Sequence, residues 1–255
     1  MTAKGQFYAK YTKRIFDVVL AALSLVVVSP IIIILTLTGA VVMRGNPFFV
    51  QLRPGRIDPS TGEERLFYLI KFRSMSNKRD KNRELLPDEL RLNGYGRLLR
   101  KTSLDELPQL LSVISGSCSM VGPRAQLARD IVFMTADQRR RHTVRPGITG
   151  LAQVNGRNNI TWERKLVYDL EYIDKGVTFK GDINILFKTL LKVFETGDVV
   201  RNGTATDTDF GDWLLDKGKI TREEYDRRQR EAVEFLDRNH PKRSAEKIDY
   251  KRQIL

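Results

Sequence analysis

The chain has 255 residues, with 44 Lys and Arg against 31 Asp and Glu, which gives a net charge of +13. The hydrophobic content of 41% and the charged content of 29% exclude a disordered chain and a polytopic membrane protein. A single cysteine, Cys118, excludes a disulfide framework, and two histidines leave little for a histidine-based metal site.

The charge is uneven along the chain. Residues 207–255 hold 12 basic and 12 acidic residues, so the whole excess of +13 lies in residues 1–206. A basic body indicates an anionic partner: a nucleic acid, a phosphorylated substrate or an anionic membrane surface.

An apolar segment favours the membrane. Residues 18–43 contain no charge and are rich in Val, Ile and Leu. This length passes the test for a membrane helix, about 20 residues. Basic residues precede and follow the segment, which places both of its ends on the cytoplasmic side.

Ser29 and Pro30 lie in the middle of this segment. A proline inside a helix removes one hydrogen bond and bends the helix, and a serine hydroxyl can bond the carbonyl that is left over. Each half is roughly 18–20 Å long, too short for a hydrocarbon core of about 30 Å. The residues leave two topologies open: a re-entrant helix broken at Ser29-Pro30, and a kinked single span.

The rest of the chain alternates short elements with turns. Strands at 48–51 and 66–72, separated by the turn residues 58–62, predict a β-hairpin. Helical patterns occur at 102–111, 126–141, 162–174 and 183–194, the last of them amphipathic. Beyond a polar linker at 203–211, a helix is predicted over 212–239 with a narrow apolar stripe. We expect this stripe to pack on a partner helix, as in a homo-oligomer, and to be separable from catalysis.

The adjacent carboxylates Asp105 and Glu106 have two interpretations. Ser103-x-x-Glu106 matches a capping box, which would make the acids structural. A carboxylate at a helix start can also ligate Mg²⁺ or attack phosphorus, beside N–H groups that bind phosphate. Arg100 lies five residues before Asp105 and is suited to neutralise a phosphate.

Two arginines follow rigid turns, Arg124 in Val121-Gly-Pro-Arg124 and Arg145 in Arg145-Pro-Gly147. Each is either aimed at a phosphate or solvated. Residues 155–159, Asn-Gly-Arg-Asn-Asn, suit either a sugar or base contact or a turn. The run Arg139-Arg-Arg-His142 is expected to form a basic face towards lipid head groups.

Seven motifs in order resemble the bacterial sugar transferase family, the small monotopic phosphoglycosyl transferases. They are Lys13-Arg-Ile-Phe-Asp17, Ser29-Pro30, Gln51-Leu-Arg-Pro-Gly55, Lys71-Phe-Arg-Ser-Met75, Ser103-Leu-Asp-Glu-Leu107, Met120-Val-Gly-Pro-Arg124 and the run from Arg145 to Arg157. The resemblance covers about residues 10–210. It departs from the family at Ala125, where the family's Pro-Arg-Pro motif has its second proline.

The resemblance implies an enzyme that transfers a sugar-1-phosphate from a UDP-sugar to polyprenol (undecaprenyl) phosphate with Mg²⁺ and releases UMP. Asp105 maps to the nucleophile that forms a covalent phosphosugar intermediate, and Glu106 to its partner at the metal. The substrate-binding residues implied are Lys71, Arg100, Arg124, Arg145, Gln153 and Asn155. The resemblance also favours the re-entrant topology at Ser29-Pro30.

The expected protein is therefore an α+β, mainly helical, monotopic membrane enzyme of the cytoplasmic face of the bacterial inner membrane. Residues 1–206 form the transferase domain, with a re-entrant helix at about 15–43 and a small β-hairpin, and residues 207–255 form a linker and a charged helical extension. Membrane lipids are expected partners and nucleic acid is not. A membrane-tethered nucleic-acid-binding protein and a non-catalytic scaffold are the alternatives.

Overall fold

The computed structural model describes residues 7–82, 84–156, 160–194 and 208–239. Ten α-helices and four strands are assigned in these ranges. The helices are α1 (Lys13–Val42), α2 (Asp88–Arg91), α3 (Gly94–Thr102), α4 (Gln109–Ser115), α5 (Ala136–Arg139), α6 (Leu151–Val154), α7 (Trp162–Asp174), α8 (Phe179–Phe194), α9 (Phe210–Asp216) and α10 (Arg222–Asn239). The strands are β1 (Phe48–Ile57), β2 (Glu64–Phe72), β3 (Ser119–Val121) and β4 (Gly147–Thr149).

The mainly helical class and the hairpin are confirmed. Strands β1 and β2 pair antiparallel, with Phe49 opposite Lys71 and Arg53 opposite Phe67. The register shifts between Pro54 and Ile57, where the proline has no N–H to give to the ladder. A second sheet, parallel, joins β3 to β4.

Two helix predictions were wrong in detail. Residues 126–141 form a 3-10 helix (Ala128–Phe133), the short α5 and a second 3-10 turn, because Thr135 and Gln138 make a capping box that starts a new helix inside the range. The predicted helix at 212–239 divides into α9 and α10 at Gly218, which has a φ of +63° that favours glycine. The helices at 162–174 and 183–194 are confirmed, the latter starting earlier at Phe179.

The apolar segment forms one helix, α1, that continues through Pro30. The predicted break is therefore not an interruption of the helix. Proline has no N–H for the carbonyl of Val26, and the Ser29 hydroxyl donates to that carbonyl at 2.8 Å instead.

One stripe of α1 packs on the rest of the protein along the whole helix. Ala21 and Leu25 contact a cluster formed by α4 and the hairpin. Leu35, beyond Pro30, packs on Phe72 and Leu99. The other faces of α1 expose apolar side chains along the same length, among them Val19, Leu23, Val27, Ile34, Leu37 and Val41. This helix is long and apolar enough to cross a membrane.

Buried polar bonds fix the start of α1. The fully buried Asp182 of α8 accepts hydrogen bonds from the Tyr8 hydroxyl at 2.8 Å, the Lys13 ammonium at 2.6 Å and the Tyr172 hydroxyl at 2.8 Å. Asp17 accepts a bond from the Ser119 hydroxyl at 2.7 Å. The motif Lys13-Arg-Ile-Phe-Asp17 therefore attaches α1 to α8 and β3.

The hairpin is the middle layer of the body. On one face, Phe67 and Leu69 pack with Leu110 and Val113 of α4. On the other face, Leu52 packs with Phe235 and Leu236 of α10 and with the 3-10 helix Ala128–Phe133.

The apolar stripe of the C-terminal extension is therefore covered by the same chain. Phe235 and Leu236 are buried against Leu52, Ala128 and Ile131, which all lie before position 207. This burial removes the observation that predicted a partner helix and a homo-oligomer. The linker at 203–211 lies mostly outside the described residues, which resume at 208.

Candidate active site

The Asp105-Glu106 pair lies in a 3-10 turn, Leu104–Glu106, just before α4. The capping-box interpretation is wrong, because Ser103 has a φ of +56° and its side chain caps no backbone N–H. The backbone N–H groups of Glu106 and Leu107 bond the carbonyls of Ser103 and Leu104. These two N–H groups are therefore already used within the turn.

Asp105 is buried to 9% exposure. Burial raises the pKa of its carboxyl to about 6, and the charge of Glu106 acts on this pKa in the same direction. Lys71, Arg124 and Arg100 lower the pKa of the same carboxyl. The carboxylate is therefore ionised at neutral pH, in a setting that disfavours its charge and keeps cations around it.

Glu106 points to the next loop of the site. The Arg124 guanidinium donates to both of its carboxylate oxygens, at 3.2 Å from Nη1 to Oε2 and by a second bond from Nη2 to Oε1. The Arg124 carbonyl accepts a bond from Arg141 at 2.6 Å, and Arg141 pairs with Asp169 in the core. The Arg124 side chain is thus directed at Glu106, and its contact with a phosphate stays a prediction.

Strand alternation brings further cations to the same place. Because side chains alternate along a strand, Arg53 and Lys71 lie on the face of the hairpin that packs on α4. They line a small pocket of about 350 Å³, counting its open mouth, with Arg124, Gln109, Cys118 and others. Burial lowers the pKa of Lys71 to about 8 and that of Arg53 to about 10.

Arg53 is a site residue that the sequence reasoning missed. Its guanidinium donates to the Ala125 carbonyl at 3.2 Å and to the Gln51 side chain at 2.6 Å. Its Nε is buried without a hydrogen-bond partner among the described residues. The signal was present in Gln51-Leu-Arg-Pro-Gly55, whose position on a strand opposite the strand of Lys71 puts both cations on one face. Gln109, 3% exposed at the start of α4, was also missed.

Arg100 lies near the Asp105-Glu106 pair, and its guanidinium is bonded to a residue outside that pair. Its Nε donates to the Ser74 hydroxyl at 2.9 Å, and Asp105 is the first charge that acts on its pKa, which burial lowers. Ser74 belongs to the motif that begins at Lys71, so this bond joins Arg100 to that motif.

Arg145 is not brought to the dyad. Its Nε donates to the Gly116 carbonyl at 2.9 Å, at the C-terminal end of α4, whereas Asp105 precedes the N-terminal end of that helix. Arg14 bonds the carbonyls of Val113 and Ile114 at the same end. The two arginines cap a helix C-terminus.

The two substrate-binding residues predicted after β4, Gln153 and Asn155, differ in their surroundings. Both polar atoms of the Gln153 amide are buried without a partner among the described residues. Asn155 is exposed and donates to the Leu151 carbonyl at 2.8 Å, which makes it a cap of α6. Residues 157–159 lie outside the described ranges.

The basic run at 139–142 is not a face for lipid head groups. Arg139 pairs with Glu64, Arg140 with Asp137 and Asp174, and Arg141 with Asp169. His142 is buried with its Nδ1 at 2.9 Å from a Glu64 oxygen, and burial lowers its pKa to about 4. The run is structural because each of its charges has a carboxylate from another part of the fold.

The chemistry of the donors fits a magnesium ion. Among the described residues, no group of three or more His, Cys, Asp and Glu is close enough to hold a metal. Mg²⁺ is usually bound by one or two carboxylates, completed by substrate phosphates and water. The oxygen atoms of Asp105 and Glu106 match that requirement.

The family described as bacterial sugar transferase matches residues 8–196. The chain is 44% identical to an uncharacterized sugar transferase, EpsL, of Bacillus subtilis over 76% of this chain and 93% of that protein. It is 35% identical to the UDP-glucose:undecaprenyl-phosphate glucose-1-phosphate transferase of Klebsiella pneumoniae over 71% of this chain, which spans 40% of that protein. It is 32% identical to the exopolysaccharide production protein ExoY of Rhizobium meliloti over 70% of this chain and 83% of that protein.

The family match contains the dyad, the hairpin cations and the apolar helix, and it ends before the C-terminal extension. The named relatives are transferases, which argues against a non-catalytic scaffold as the role of the matched region. The chain belongs to the bacterial sugar transferase family and is a transferase enzyme of phosphate-containing sugar groups.

Proposed function

We propose that this protein transfers a sugar-1-phosphate from a UDP-sugar to polyprenol phosphate, through a phosphosugar bound to Asp105. The observation that carries the proposal is a buried carboxylate, Asp105, surrounded by Lys71, Arg100 and Arg124 beside a cationic pocket. The names of relatives that act on undecaprenyl phosphate support the acceptor.

The proposed first step forms one bond to phosphorus and breaks one. An oxygen of Asp105 attacks the β-phosphorus of the UDP-sugar, and the bond from that phosphorus to the bridging oxygen breaks. UMP leaves with the electron pair of this bond. A carboxylate needs no neighbouring base for the attack, which suits a site whose nearest histidine, among the described residues, is buried against Glu64.

In the proposed second step, a phosphate oxygen of the polyprenol phosphate attacks the phosphorus of the intermediate. The bond from this phosphorus to the Asp105 oxygen breaks, and the free carboxylate is restored. The product is a polyprenol diphosphate sugar. Because UMP leaves before the acceptor reacts, the proposal predicts ping-pong kinetics.

The other residues bind and orient the diphosphate. Lys71 and Arg53 line the pocket with their cationic groups and are suited to hold phosphate oxygens. The Glu106–Arg124 pair fixes the loop that carries Arg124 next to Asp105. Mg²⁺, when bound by Asp105 and Glu106, would neutralise charge on the diphosphate.

The proposed location is the cytoplasmic face of the inner membrane, with α1 re-entrant. Contacts of α1 with the body on both sides of Pro30 support this topology, because a spanning helix leaves its own domain at one end. The exposed apolar side chains of α1 supply a face for lipid.

The test is mass spectrometry of enzyme quenched after mixing with UDP-sugars, Mg²⁺ and no acceptor. The expected result is UMP release and a phosphosugar adduct on the peptide that contains Asp105. Asp105→Asn is the matched control and should give neither. An adduct on another residue, or UMP release that requires the acceptor in a single turnover, would contradict the covalent mechanism.

A further inference from the structure

The C-terminal helices form a layer behind the active-site hairpin. Phe235 and Leu236 of α10 pack on Leu52 of β1 and on Leu66 and Tyr68 of β2. Leu52 and Arg53 are neighbours on one strand and point to opposite faces. Leu52, which α10 covers, is therefore the backbone neighbour of Arg53, a cation of the pocket.

The same helix packs behind the loop that carries Arg124. Ala128 and Ile131, in the 3-10 helix that follows this loop, share the cluster with Phe235 and Leu236. Arg228 of α10 donates to the Val132 carbonyl at 3.2 Å. The loop also holds Arg53, because the Ala125 carbonyl accepts a bond from that guanidinium.

Polar contacts hold α9 against the same 3-10 helix. The backbone N–H of Phe210 donates to the buried carboxylate of Asp130 at 3.1 Å. Arg129 pairs with Asp209 and Asp212. The Phe210 ring packs with Phe133 and Trp162 in the core.

If the C-terminal helices were separable from the enzyme, these side chains would be exposed to water instead of packed on the body. We propose that residues 208–239 position Arg53 and Arg124 for the diphosphate of the UDP-sugar, as a brace formed by α9 and α10. The role of the two arginines rests on the proposed function, and the brace itself rests on the contacts of Asp130, Leu236 and Leu52.

The first experiment compares two truncations in purified, membrane-reconstituted protein. Removal of residues 208–255 takes away the brace, whereas removal of residues 240–255 keeps α10 and is the matched control. The brace predicts a KM for the UDP-sugar that rises about 10- to 100-fold in the first variant, since small misplacements of binding groups cost that much. The KM for polyprenol phosphate and all constants of the control should stay close to those of the full chain.

Point variants decide the matter if the long truncation does not fold. Leu236→Ala removes packing on Leu52, and Asp130→Ala removes the acceptor of the Phe210 N–H, so both variants loosen the brace. Glu234→Ala alters an exposed residue of α10 and is the control. The first two should raise the KM for the UDP-sugar, and the third should not.

A second readout does not depend on the reaction. Cys118, the single cysteine of the chain, lines the pocket and is 2% exposed. Its alkylation by N-ethylmaleimide should accelerate in Leu236→Ala and not in Glu234→Ala. Wild-type kinetic constants together with an unchanged alkylation rate in Leu236→Ala and Asp130→Ala would overturn the brace. A full-length protein that does not turn over, with Cys118 exposed only in the brace variants, would overturn the proposed function and keep the brace.

Discussion

At the scale of single residues, the site depends on Asp105, an acid whose charged form is disfavoured by its surroundings. Asp105 is buried next to Glu106, and these two effects outweigh the cations Lys71, Arg124 and Arg100 in setting its pKa. A carboxylate that is ionised but poorly solvated is a stronger nucleophile and a weaker contributor to stability.

Asp105→Asn should therefore abolish turnover and make the protein more stable. The raised pKa of Asp105 means that the folded state favours the protonated acid. The contribution of this group to the stability of the fold is complete below about pH 4 and is lost as the pH rises through about 6. Asn resembles the protonated acid, so at pH 7.5 the variant should gain about 1–2 kcal/mol, a few degrees in Tm. Thermal unfolding of both proteins at pH 4 and pH 7.5 measures this.

The gain should vanish near pH 4, where wild-type Asp105 is protonated. A variant that is less stable than wild type at pH 7.5 would contradict the assigned electrostatics. Turnover should fall by about four orders of magnitude or more, the size seen when a nucleophile is removed.

The pH dependence of kcat/KM for the UDP-sugar gives a second prediction. Activity should decline as the pH falls through about 6, because protonation of Asp105 removes the nucleophile. Lys71 lowers the pKa of Asp105, so Lys71→Met should move this limb to higher pH in the residual activity. Lys71→Arg keeps the charge and is the control. If the activity of both variants declines at the same pH, then Lys71 does not influence the pKa of Asp105.

At the scale of elements, α1 is fixed by contacts of three kinds. Its start is bonded to Asp182 and Ser119, its middle packs on α4, and its end is held by the Tyr95 hydroxyl, which donates to the Leu35 carbonyl at 2.9 Å. The close approach of Gly39 to this tyrosine leaves no room for a larger residue. An apolar helix held along its length belongs to the body of the enzyme and is more than an anchor.

Pro30→Leu should shift α1 towards a full span. The substitution restores an N–H for the Val26 carbonyl, which the Ser29 hydroxyl now bonds, and a straight helix over 18–43 is about 39 Å long. Single cysteines at Tyr11 and Asn46, in a Cys118→Ser background, report the topology through an impermeant maleimide. With the native proline, both should be labelled from the cytoplasmic side. In the Pro30→Leu variant, a fraction of the molecules should be labelled at these two positions from opposite sides.

The same labelling of the native protein can also refute the re-entrant topology. Labelling of the cysteine at position 11 from the periplasm, with Pro30 in place, would show that α1 spans the membrane.

At the scale of the whole molecule, the exposed apolar surface extends beyond α1. Helix α8 exposes Phe179, Ile183, Phe187, Leu190 and Leu191 on one side. The Phe179 ring packs edge-on against Phe16 of α1 at 5.2 Å between centroids, so the two apolar faces are continuous. A surface of this kind is suited to the interface of a membrane.

A spin label at position 187 should therefore lie in lipid. In reconstituted protein with Cys118 replaced, this label should be accessible to dioxygen and shielded from a water-soluble nickel chelate. A label at Lys188, an exposed charged position about 100° around the same helix from Phe187, is the control and should behave in the opposite way. Equal access of the nickel chelate to both labels would show that α8 faces water.

Local signals in the sequence were sufficient for the apolar helix and the hairpin. Uninterrupted hydrophobicity, turn residues at 58–62 and a serine before a proline act over a few residues, so they can be read without the fold. The same holds for the set of motifs that indicated the family. The basic run at 139–142 shows the limit, because its carboxylate partners come from as far away as Glu64 and Asp169.

Only the tertiary structure decided which charged residues meet. Arg53 joins the site because strand pairing places it on the face of Lys71, and Arg145 is absent from it because its loop ends at the far end of α4. The stripe of α10 had the periodicity of a surface for a partner, but long-range packing placed Leu52 and Ile131 against it. Periodicity determines that a helix has an apolar face, whereas the element that covers this face is determined by contacts between residues far apart in the chain.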